Sequence, residues 1–161
     1  MQTLAKIKEL YNNYLQADRD LSKNTTYQKK GGLFGSVLRG IKDTTIEEEF
    51  TKEVKKTLAE FCKEDEMQSA GNSEVATRIN ANAESNAIFS FMITAQDELI
   101  RDDRCYYMFV SLHSLAANLI PFLSPEDALT HKESYAMKEE AYAAYPFYRD
   151  ILKQLDQQSR K

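Results

Sequence analysis

Tryptophan is absent, and cysteine, histidine, proline and glycine number only two, two, three and five among the 161 residues. Each scarcity excludes something. Few glycines and prolines leave little turn chemistry for a many-stranded sheet and suit long helices. Cys62 and Cys105 stand far apart in no CxxC pattern, which argues against a disulfide framework or zinc site and for a reducing, cytoplasmic setting. Neither histidine belongs to a Glu-x-x-His pair, because Val110 precedes His113 by three and Ala128 precedes His131 by three. A di-iron bundle requires that pair, so neither a metal site nor a cofactor is expected. Gly31–Ser36 lacks the Gly-Lys-Ser/Thr ending of a phosphate loop, and no GxSxG elbow occurs. The first residues, Met1-Gln2-Thr3-Leu4-Ala5-Lys6, hold no apolar run of the secretory-signal kind.

Long hydrophobic runs are missing too, with one exception. Cys105–Leu123, CYYMFVSLHSLAANLIPFL, is plainly polar only at Ser111, His113, Ser114 and Asn118 among its 19 residues. As a helix it would reach about 28 Å at ~1.5 Å per residue, close to a bilayer core of ~30 Å. His113, Asn118 and Pro121 inside it, and Arg101-Asp102-Asp103-Arg104 at its mouth, weigh against a membrane span. The segment reads instead as a central core helix over about 105–121.

Around it, periodicity supplies amphipathic helices. Leu4, Ile7, Tyr11, Tyr14 and Leu21, widened by Leu10 and Leu15, mark a helix over residues 2–22. Four of the five glycines fall in 23–42, which predicts a loop and then a short helix at 33–40. Thr44 and Thr45 each precede a glutamate by three, so a capping box predicts a new helix start near Asp43. Its buried stripe is Ile46, Phe50, Val54, Leu58 and Phe61. Ser73 caps a third helix that runs to about Ile100, with Asn82 and Asn86 interrupting an apolar stripe. A turn is expected at Arg101–Arg104, although the apolar phase also allows one helix over 73–120, which would favour a homodimer. Ser124-Pro125-Glu126-Asp127 is a strong helix start. Beyond it Met137, Ala141, Ala144, Tyr148, Ile151 and Leu155 are expected to point inward, with a kink or split at Pro146 and a frayed tail over 157–161. The expectation is an all-α fold: one helical domain over 1–161, a bundle of five or six helices.

Charge is unevenly spread. The net −4 conceals +5 over residues 1–42 and −6 over residues 43–74. An acidic chain argues against a generic nucleic-acid partner, since that affinity comes mostly from neutralising phosphates. The Gly-rich basic segment 29–42 is the local exception. Lys29, Lys30, Leu33, Phe34, Val37, Leu38, Arg39 and Ile41 there resemble a cationic amphipathic peptide for an anionic membrane surface or a partner.

Two further groups of residues carry functional readings. If the third and fourth helices fold back about Asp102, Asn118 falls level with Asn86 and His113 near Phe91, which makes Asn82, Asn86, His113 and Asn118 a candidate ligand pocket. Glu64, Asp65 and Glu66, with Tyr135, Tyr142 and Tyr145, form candidate partner contacts, because tyrosine joins large area to a polar tip. The absence of catalytic motifs favours a non-catalytic protein-interaction module of the adaptor, chaperone or immunity-inhibitor kind. Peripheral membrane association through 29–42 is the alternative, and a small-ligand or enzymatic pocket in the core is the third reading.

Overall fold

The computed structural model describes residues 2–23, 33–70, 75–99 and 106–161, with side chains over 2–21, 45–64, 82–98, 108 and 110–161. Every described element is a helix. They are α1 (Gln2–Lys23), α2 (Leu33–Ala70), α3 (Val75–Leu99), α4 (Tyr106–Ala117), a 3-10 turn (Ile120–Phe122), α5 (Pro125–Ala136), α6 (Glu139–Tyr142) and α7 (Pro146–Ser159). Among the described residues no helix is long and apolar enough to cross a membrane. The chain divides into two compact units, Met1–Ala59 and Glu60–Lys161.

In the first unit α1 buries Ile7, Tyr11, Tyr14 and Leu21, four members of the stripe that its spacing predicts. Phe50 of α2 meets two of them, stacking on Tyr14 at 5.1 Å and tilting against Tyr11 at 6.2 Å between ring centroids. Along α2, Phe50, Val54 and Leu58 of this unit are buried, as is Phe61 just beyond its boundary, each such side chain contributing about 1.5–3 kcal/mol when removed from water. The start of α2 differs from expectation. The helix runs unbroken through Asp43, Thr44 and Thr45, so the capping boxes go unused and Glu47 lies buried within the helix. A cap acts only where the preceding residues are non-helical. Nothing in 33–45 forces that, because Gly35 and Gly40 each weaken a helix by only about 1 kcal/mol and no proline is present.

In the second unit α3 and α4 pack on one another. The hydroxyl of Tyr142 donates to Asp97 of α3, while its ring lies 5.4 Å from that of His113 on α4. In one continuous helix those two positions would be about 24 Å apart at ~1.5 Å per residue, so the chain reverses between α3 and α4. The expected Ser73 cap and the turn at 101–104 lie outside the described residues. The buried face of α3 is Ser85, Ile88, Phe89, Met92, Ala95 and Gln96, and that of α4 is Met108, Leu112 and Ala116, with His113 at its edge.

The C-terminal part is an antiparallel hairpin of α5 on α7, crossed by an ion pair of Lys132 with Asp156 at 2.6 Å. Ser124 caps α5 as its sequence signature predicts: its Oγ accepts from the Asp127 amide at 3.1 Å and donates to the Asp127 carboxylate at 2.7 Å. Pro146 splits the last region, standing at the first turn of α7. A second break at Met137–Lys138 has no glycine or proline behind it. There the Tyr148 hydroxyl donates to the Ala136 carbonyl at 3.2 Å, taking up an acceptor that the helix end leaves open.

These two breaks reset the helical phase. Met137, expected inward, is 87 % exposed, and Ala141 and Ala144 are exposed as well. Tyr148, Ile151 and Leu155 do point inward. The tail is anchored instead of frayed. Gln158 is buried and its amide donates to the Leu123 carbonyl at 2.7 Å and the Pro121 carbonyl at 3.3 Å. Removing that donor leaves a buried carbonyl unsatisfied, at a cost of about 1–3 kcal/mol. Gln158→Leu should therefore lower the urea unfolding free energy by about that amount. The same change at the exposed neighbour Gln157 should stay within ~0.5 kcal/mol.

Candidate functional site

A cleft opens on the first unit where α1 and α2 meet. Leu10, Asn13, Tyr14 and Ala17 line it from α1, and Ile46, Glu49, Phe50 and Glu53 from α2; its volume is about 270 Å³. Both sets follow one spacing, i, i+3, i+4 and i+7, which places four residues on one helix face. Leu10, Ala17 and Ile46 are half-buried, and Tyr14 and Phe50 are buried and stacked. Ala17 has only a methyl group to offer where a larger side chain would fill the space. Asn13 and Glu49 are exposed and Glu53 is half-buried, so polar groups edge an apolar floor. Among the described residues no lysine or arginine belongs to the lining.

The polar positions of the second unit sort differently from the mirror arrangement about Asp102. Asn86 meets α5: His131 Nε2 stands 2.5 Å from Asn86 Oδ1. An amide oxygen can only accept, so Nε2 carries the proton. The imidazole also leans on the Phe89 ring at 4.7 Å. Burial holds its pKa below the ordinary 6.5, with Asp127 offsetting part of that shift. Asn118 is exposed and Asn82 half-buried, and the exposed Ser114 bonds the Val110 carbonyl of its own helix at 3.2 Å. His113 is fully buried elsewhere, stacked on Phe147 at 4.3 Å, edge-on to Tyr142 and 6.1 Å from Tyr135. Asn118 therefore faces solvent while His113 sits within an aromatic cluster and Asn86 pairs with His131. The proposed pocket set is not brought together.

Tyr135 and Tyr142 are each 2 % exposed. They belong to the core and offer no partner contact, which corrects their reading as surface anchors. Breaking the chain into α5, α6 and α7 turns these rings inward, where Tyr135 stacks on Tyr148 at 5.2 Å. The Asp97 carboxylate receives both the Tyr142 hydroxyl and the Lys138 ammonium. Burial, and to a lesser degree the nearby Tyr148 and Asp97, push the Tyr135 phenol well above 10.0. Tyr145 is half-buried, stacking on Phe147 at 5.3 Å.

Glu64 is exposed; the side chains of Asp65 and Glu66 lie outside the described residues. Lys29 and Lys30 lie outside them as well, and Leu33, Phe34, Val37, Leu38, Arg39 and Ile41 are described only as helical backbone. Among the described residues no group of three or more histidines, cysteines, aspartates and glutamates could hold a metal ion.

Among the polar core residues that escape a reading of the sequence, two stand on α3. Ser85 and Gln96 are fully buried, and neither the serine hydroxyl nor either amide atom of the glutamine has a hydrogen-bond partner among the described residues. Their spacing holds the signal. Ser85, Phe89, Met92 and Gln96 follow 4-3-4 and form the inner seam of α3, rotated away from the stripe that contains Asn82 and Asn86.

Two outcomes test this geometry. Unfolding binds a proton at His131 more readily than the folded state does, so stability is complete above about pH 7 and falls as pH drops through 6.5 toward the lowered folded value. His131→Gln should remove that part of the slope in urea midpoints measured between about pH 7 and 5.5, and leave any part due to other groups. Tyr142→Phe takes one donor from a charged acceptor and should cost about 1.5–3 kcal/mol in the same measurement.

Compared with known proteins, the chain matches no family model, no curated protein and no solved structure.

Proposed function

We propose that this chain is a non-catalytic protein-interaction module of the adaptor, chaperone or inhibitor type, and that the cleft between α1 and α2 receives its partner. The cleft is the observation that carries the reading. It combines an apolar floor of Leu10, Tyr14, Ala17, Ile46 and Phe50 with an edge of Asn13, Glu49 and Glu53. Protein interfaces have the same anatomy: an apolar centre into which a few side chains insert, ringed by polar groups. Two helices presenting parallel rows of side chains make the type of groove in which a partner helix lies.

The histidines add nothing toward catalysis in this reading. His113 is fully covered by aromatic rings, and His131 is engaged with Asn86 and Phe89. A general base must come within hydrogen-bond reach of a substrate proton, and His113, enclosed in this way, offers no such approach.

A photo-crosslinking amino acid placed at Asn13 in the native host tests the proposal. A discrete adduct with one host protein is expected. The same amino acid at Arg19, exposed on the opposite face of α1, should give none. Equal labelling from both positions, or no adduct at Asn13, would sink the reading.

A further inference from the structure

We infer that the segment taken by this cleft is a basic amphipathic helix of a partner protein; this rests on the interaction-module reading above. The size of the cleft is the first argument. At about 270 Å³ it lies at the small end of the ~300–1,000 Å³ range of small-molecule pockets, and it suffices for a few apolar side chains projecting from another surface. The form of its walls is the second. With both walls built on the i, i+3, i+4, i+7 pattern, the matching occupant repeats its apolar anchors every three or four residues, as one face of a helix does.

Charge decides the rest. Glu49 and Glu53 stand one turn apart on the α2 side, the spacing at which helix neighbours lie about 5–6 Å from each other. With no cation among the described lining residues, an acidic helix would bring like charges together. A helix with Lys or Arg beside its apolar anchors would find two carboxylates in register. Such charged rims contribute mostly to specificity and to the rate of encounter.

The absence of tryptophan provides a clean measurement. Consider a synthetic helical peptide with leucines at i, i+3, i+4 and i+7, lysines elsewhere and one tryptophan, paired with a twin in which glutamate replaces lysine. The peptide fluorescence then reports binding without background from the protein. The lysine peptide should bind with an affinity that falls as salt is raised, and the glutamate twin should bind at least about tenfold more weakly. The double variant E49K/E53K should lose about tenfold or more in affinity for the lysine peptide. Ala17→Phe, which fills the cleft without altering charge, should weaken it likewise while circular dichroism stays unchanged. Glu48→Lys, exposed on the opposite face of α2, should have little effect.

Equal binding of the twin peptides, equal loss in Glu48→Lys, or no binding of the lysine peptide would overturn the inference. So would self-association in sedimentation that Ala17→Phe abolishes, since a second copy would then be the occupant. If crosslinking from Asn13 yields one partner whose attached segment is acidic or uncharged, this inference fails and the interaction-module reading stands. If no adduct forms, that reading fails first.

Discussion

The second unit depends on one constraint: the open carbonyls at the C-terminal end of α5 and in the 3-10 turn that precedes it must find donors, and a single helix face supplies them. On α7 the seam Tyr148, Ile151, Leu155 and Gln158 follows 3-4-3 spacing and is buried throughout. Its middle is aliphatic. Its two ends are hydrogen-bond donors, Tyr148 reaching Ala136 where α5 stops and Gln158 reaching Leu123 just before α5 begins. Along a helix those donors are about 15 Å apart, and α5 is about 18 Å long. The match holds the hairpin in one register, since a slide of one turn would bury carbonyls without partners. Lys132 and Arg160 close the outer side on Asp156, whose carboxyl they hold below its ordinary 3.8.

That register also accounts for the aromatic cluster. Once α5 ends at Ala136 and α7 starts at Pro146, the short α6 between them directs Tyr142 inward toward Asp97 and His113. Six rings then meet: His113, Tyr135, Tyr142, Tyr145, Phe147 and Tyr148. Tilted, edge-on and offset pairs of this kind contribute about 0.5–1.5 kcal/mol each beyond their buried area. The histidine that looked most like hidden chemistry is thus a packing element. The other one links two helices, since His131 on α5 grips Asn86 and Phe89 on α3. The first unit follows a simpler rule. Tyr11, Tyr14 and Phe50 close its centre, while the smallness of Ala17 leaves the cleft open beside them.

By itself the sequence determined whatever depends on local chemistry. The helical class follows from scarce glycine and proline, the buried faces of α1 and α2 from their spacing, and the starts of α5 and α7 from Ser124-Pro125 and Pro146, because each is settled within a turn or two of chain. Tertiary structure decided the rest. The stop at Met137 has no local breaker, and the Ala136 carbonyl that it leaves open is taken by the Tyr148 hydroxyl, twelve residues further on. Which asparagine is paired, whether Tyr135 and Tyr142 face inward, and whether Gln158 is held or loose all depend on partners distant in the chain. The cleft was illegible for the same reason: Leu10, Ala17, Ile46, Glu49 and Glu53 lie at the edges of their stripes, and periodicity locates the centre of a helix face but not the gap left where two such faces meet.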